Sequence, residues 1–203
     1  MAADGLHALL DELERRLRAF GAPIADAFRP GAAPGHVRDA LEQERVRAHE
    51  DLVAWWTWHD GAELVPPPDD PPIPPDVAEN MLVGPWHVVS LAESIAFRRW
   101  RRNEYEALGM GDLIPASWVP VLVAGEAGEL WANVDVEGAA PLQIRDEGYL
   151  GGEPPHVASL DEFVRMAIRA FDEGLVGPDP GGTRAPWIGD AALQTDLRRL
   201  IIW

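Results

Sequence analysis

The chain has no cysteine and no lysine, only two tyrosines, and no long run of apolar residues. Without cysteine there is no disulfide framework, no thiolate nucleophile and no thiolate-bound zinc. Without an apolar run of about 18 residues there is no membrane-span signal. The start, MAADGLHALL, lacks a basic leader and a small-residue cleavage site, so no signal peptide is expected and the expected location is cytoplasmic. All 17 cationic residues are arginine, which together with abundant Ala, Gly and Pro reads as the coding bias of a GC-rich bacterial genome. Also missing are nucleophile elbows, phosphate loops, dinucleotide fingerprints and the HExxH zinc pattern.

What is present is acid. The formal net charge is -17 over 203 residues, and from 103 to 164 twelve acids face the single cation Arg145, a local balance of -11. Such an excess repels nucleic acid and anionic membrane while speeding encounter with basic partners. It also serves plain solubility. With 47% apolar residues and nine Trp, the chain can bury a substantial core.

Leu6, Leu9, Leu10, Leu13, Leu17 and Phe20 recur at helical spacing, with Asp4 as the expected cap and Glu12–Arg16 and Glu14–Arg18 as stabilising pairs. A single helical stretch is expected from about Val37 to His59, ended by Gly61. Seven prolines in 65–76 favour a stiff surface loop. A short strand over 86–89 precedes Ser90 and Glu93, spaced as a capping box for a helix running to about Leu108. Strands over 119–123 and 129–136, joined by GEAG, form a hairpin with one buried side. Pro120 puts the first of them at a sheet edge or marks its entry. Leu142–Arg145 adds a third strand. Ser159 and Glu162 then cap a helix whose stripe of Leu160, Phe163, Val164, Ala167, Ile168 and Phe171 must be buried against the sheet. A short helix is expected over 190–200.

The order of LVAWWTWHDG, WVPVLVAGEAGELWANVDVEG, LQIRDEG and SLDEFV resembles the SUKH superfamily, which contains bacterial immunity proteins and fungal cell-wall-assembly regulators. The resemblance implies an α+β fold with a curved, mainly antiparallel sheet packed against helices. It places the family-like domain at 36–174, with an N-terminal extension at 1–35 and a tail at 175–203. It also implies binding, not catalysis: a non-catalytic immunity-type protein that neutralises a cognate toxin domain. The acidic charge points to a basic, nucleic-acid-directed toxin, with no direct contact to nucleic acid or membrane. The alternative is a regulatory protein-binding scaffold with an endogenous partner. A carboxylate enzyme ranks third.

Seven residues are candidates for the partner-binding surface. Trp58, Trp131 and Tyr149 are aromatic anchors, and Asp60, Asp135, Asp146 and Glu147 supply charge. At least one of Trp55, Trp56 and Trp58 is expected to be partly exposed, since one helix cannot aim all three at one core. Other signals have bland readings. Asn133 to Gly138 imitates the start of a calcium loop but meets Ile144 where a bidentate Glu is needed. His59 reads as a helix-end cation, and neither His87 nor His156 has metal-ligand spacing. Arg98, Arg99, Arg101 and Arg102 around Trp100 read as a solvated helix face paired with Glu93, Glu104 and Glu106. No cofactor or metal is expected.

Overall fold

The computed structural model describes residues 3–63, 81–84, 86–111, 114–123, 129–134, 142–145 (backbone course only), 157, 159–178, 185–189 and 195–197. The proline-rich stretch, the GEAG turn, most of the calcium-like stretch, His156 and most of 190–200 lie outside these residues.

The architecture is α+β and every paired strand is antiparallel. Helix α1 (Ala3–Phe20) is followed by α2 (Ile24–Ala27), β1 (Phe28–Pro30), α3 (Pro34–Gln43), α4 (Glu50–Trp58) and β2 (His59–Ala62). Then come β3 (Met81–Val83), β4 (Trp86–Val88), α5 (Leu91–Ala107), β5 (Trp118–Val123), β6 (Glu129–Asn133) and β7 (Leu142–Arg145). Helix α6 (Leu160–Asp172), β8 (Val176–Pro178) and β9 (Pro186–Ile188) complete the order. The main sheet runs β3-β4-β5-β6-β7, and β1-β2 and β8-β9 form separate ribbons. The Gly84 amide donates to the Pro186 carbonyl at 2.9 Å, tying β9 to the end of β3.

Helix α1 buries Leu6, Leu10, Leu13 and Leu17 as its spacing demands. The helix already includes Ala3, so Asp4 lies in its first turn and is not its cap. The expected pairs Glu12–Arg16 and Glu14–Arg18 both form. Helix α6 lies along α1, where Phe20 meets Phe171 edge-on at 5.8 Å and Arg16 Nε donates to Asp172 at 2.9 Å. Its closest backbone neighbour is therefore α1 and not the sheet.

The single helix expected over 37–59 is two helices. The chain breaks at Arg45, which takes a left-handed φ of 59°, and the Val46 amide returns to Leu41 O at 2.9 Å so that Val46 is buried. No Gly or Pro announces this break. His49 starts α4, its Nδ1 accepting from the Asp51 amide at 3.2 Å. Helix α4 ends at Trp58, within a residue of the expected end at His59, and His59 is already extended at φ -145° and opens β2.

Trp55, Trp56 and Trp58 are all buried, contrary to expectation. A helix that is apolar all round must be enclosed. Here α1 and α3 flank α4, and the β1–α3 loop closes on it, with Ala32 N donating to Trp56 O at 2.9 Å. The approach is tight enough that a Cβ on Gly31 would fall 1.9 Å from Thr57 O.

Strand β5 lies inside the sheet, between β4 and β6, so Pro120 is not on an edge strand. Pairing with β4 reaches only Leu122 and Val123, and a register shift separates Pro120 from Leu122 on the β6 side. The proline thus sits at an irregularity beyond the end of β4, where its missing amide costs no ladder bond. The β5–β6 hairpin is buried on both sides. Leu130 and Ala132 join the main core with α1, α4 and α6, while the alternate residue Trp131 packs with Phe97 of α5 and Ile114.

Candidate functional site

The capping box of α5 forms as its sequence implies. The Ser90 hydroxyl accepts from Glu93 N at 3.1 Å and Glu93 Oε2 accepts from Ser90 N at 2.8 Å. A third oxygen comes from β2: Asp60 Oδ1 accepts from Leu91 N at 2.7 Å. Asp60 can reach this point because Gly61 has a φ of 79° and no side chain. A Cβ there would fall 2.5 Å from Ser90 N. The Asp-Gly pair therefore docks the end of the α4–β2 unit onto the positive end of α5.

Beside it, His59 is stacked on Phe28 at 4.2 Å with an interplanar angle of 6°, and Trp58 lies 4.4 Å from the same imidazole. The Nδ1 atom lies 3.0 Å from Arg29 O, and Nε2 lies 3.1 Å from Glu14 Oε2. Burial pushes the Glu14 carboxyl up, but the bonds from Arg18 and His59 outweigh it and hold it below its ordinary value.

The arginine cluster is a solvated face only in part: Arg99 is exposed, whereas Arg98 and Arg101 are buried. Arg98 is 1% exposed and spends its whole fork: Nε donates to Trp118 O at 2.7 Å, Nη2 to Ala116 O at 2.7 Å and Nη1 to Glu44 at 3.1 Å. Burial and the neighbouring Arg102 work against its charge, and Glu44 works for it. Glu44 also receives Arg99. Arg101, buried as well, bonds Glu129 through Nη2 at 2.6 Å and Glu104 through Nη1 at 2.9 Å, with its guanidinium 4.7 Å from the Trp100 ring centroid. Glu93 pairs with Arg29 of β1 instead. Ser94 Oγ donates to Pro120 O at 2.6 Å. Helix α5 is thus riveted to carbonyls of β5 by charged and polar side chains.

Of the seven residues singled out for partner contact, Trp58 is buried in the Phe28–Trp55–His59 ring group. Trp131 is fully buried under α5. Asp60 is half-buried and engaged with Leu91. The first two present no exposed indole, because both elements that carry them are covered on each side. Asp135, Asp146, Glu147 and Tyr149 lie outside the described residues. Sequence reasoning missed the Glu14–His59 pair, whose members are 45 positions apart. It also missed Glu44 and Glu129 as the partners of the arginines.

Among the described residues no group of three or more His, Asp or Glu side chains could hold a metal ion. None of the described helices is long and apolar enough to cross a membrane. No protein-family model matches the chain, and no curated protein matches it.

Proposed function

We propose that this protein is a non-catalytic, cytoplasmic immunity-type protein that binds a basic toxin domain and occludes its active site. The partner fitting the charge best is a nuclease or other nucleic-acid-directed enzyme, whose own surface must be cationic to hold its substrate.

The observation that carries this reading is how the charge is arranged. Arg98 and Arg101 are turned inward, and Arg16, Arg18, Arg38 and Arg165 are each engaged by a carboxylate. Asp11, Asp39, Glu42 and Glu106 are exposed and have no ion-pair partner among the described residues, against the exposed Arg45 and the half-buried Arg102. Pairing withdraws charge of both signs alike, so the acidic excess of the composition, -17, is what these pairs leave uncancelled. In sequence the stretch from 103 to 164 has a balance of -11, and among its described acids Glu104, Glu129 and Asp161 are engaged by Arg101 and Arg165. Acidic surfaces of this kind raise association rates with cationic proteins and disfavour nucleic acid. The resemblance to the SUKH superfamily supports the same reading.

Co-expression with the product of the adjoining reading frame tests it. A stable complex in which that product loses its activity is the expected outcome. A complex with undiminished activity would favour the regulatory scaffold, and the absence of any complex would overturn the reading.

A further inference from the structure

His59 is placed between two groups that can only accept. The Arg29 carbonyl faces Nδ1 at 3.0 Å and the Glu14 carboxylate faces Nε2 at 3.1 Å. Glu14 is itself held ionised, since Arg18 Nε and Nη2 both donate to its other oxygen, at 3.0 and 2.6 Å. A neutral imidazole has one N–H and one lone pair. In either neutral tautomer one ring nitrogen would point a lone pair at an oxygen lone pair. We propose that His59 is a proton-operated clasp: its doubly protonated ring fastens helix α1 to the β1–β2 ribbon, and loss of one proton loosens that junction.

The surroundings fit a cation. The ring lies flat on Phe28, and its neighbour Trp58 closes another side. The charged groups around it are few. From α1 there are Glu14 and, behind it, Arg18, which also reaches Asp26 of α2 at 3.4 Å. From β1 there is Arg29, whose guanidinium turns away to Glu93 of α5 at 3.3 Å. On its own strand Asp60 is directed to Leu91 of α5. Among the described residues the Glu14 carboxylate is the one anion in contact with the ring.

The sign follows from the two members. Glu14 has its folded value lowered, so its contribution is present above the ordinary carboxyl range and fades as pH falls through it. The ring serves both acceptors only while both of its nitrogens carry a proton, and the loss of either proton breaks one of the two bonds. The junction is therefore tightest when the ring holds both protons and Glu14 is ionised.

Nitrogen-15 NMR of the intact chain reads the ring directly. At about pH 5.5 both His59 nitrogens should show the protonated signature, with cross-peaks to two N–H protons. Thermal unfolding at about pH 5.5 and about pH 8 should show a fall of several degrees in the wild type that is largely absent in Glu14→Gln, whose amide can serve a neutral ring. A neutral-tautomer signature at about pH 5.5, or the same pH response in wild type and variant, would overturn the proposal. The NMR result stands even if the variant does not fold.

Discussion

Asp60 of β2 caps the first amide of α5, Leu91, at 2.7 Å, so the end of one unit completes the start of another. Ser90 and Glu93 satisfy that helix end locally, and Asp60 adds a contact across 31 positions of sequence. Removing the carboxylate leaves a helix-terminal amide without its partner. Asp60→Ala should therefore destabilise by about 0.5–2 kcal/mol in chemical denaturation, and Asp60→Asn by less, because its amide oxygen still accepts. Gly61→Ala should be worse than either, since it combines a left-handed backbone with a clash on Ser90 N. Equal losses for all three would contradict the docking account.

Arg98 anchors α5 to two β5-side carbonyls and to Glu44. Arg98→Met should cost about 3–5 kcal/mol, because buried acceptors and a carboxylate lose their donor together. Arg98→Lys should recover only part of this, as an ammonium cannot reproduce the planar fork. Arg102→Met should change stability by no more than about 0.5 kcal/mol. Urea denaturation distinguishes them, and a loss below about 1 kcal/mol for Arg98→Met would refute the anchoring role.

Phe163 is 1% exposed and stands in the core stripe of α6. Phe163→Ala should destabilise by about 3–5 kcal/mol, the range for removing a buried aromatic. A loss under about 1 kcal/mol in equilibrium unfolding would mean that the helix does not face the core.

The elements visible in sequence were those whose signal is local. The leucines of α1 repeat over about three turns, Ser90 and Ser159 cap the helices they precede, and β5 and β6 are long enough to show alternation. Strands β1, β3, β8 and β9 have three residues each, too few for a period of two to appear, and each is defined only by its pairing, β1 with β2, β3 with β4 and β8 with β9. The break between α3 and α4 rests on one non-glycine residue in a left-handed conformation. Arg98 and Arg101 looked like solvent-facing charge, because the carbonyls and carboxylates that bury them come from other elements. The three tryptophans of α4 misled for the same reason: enclosure of a helix on all sides is a tertiary property. Of the candidate contact residues, the aromatic ones that the structure describes belong to this packing, which leaves charge as the basis of the functional reading.

That charge argument is tested most directly by the association rate with the adjoining gene's product, measured by stopped flow across a range of salt. Attraction between exposed charges is screened beyond about 10 Å at 0.1 M ionic strength. The association rate should fall steeply as salt rises while dissociation changes less, and the pair of substitutions Asp146→Asn and Glu147→Gln should lower it further. Arg102→Ala, which removes a cation, should not lower it. An association rate indifferent to salt, or one that depends on Arg102, would contradict the account.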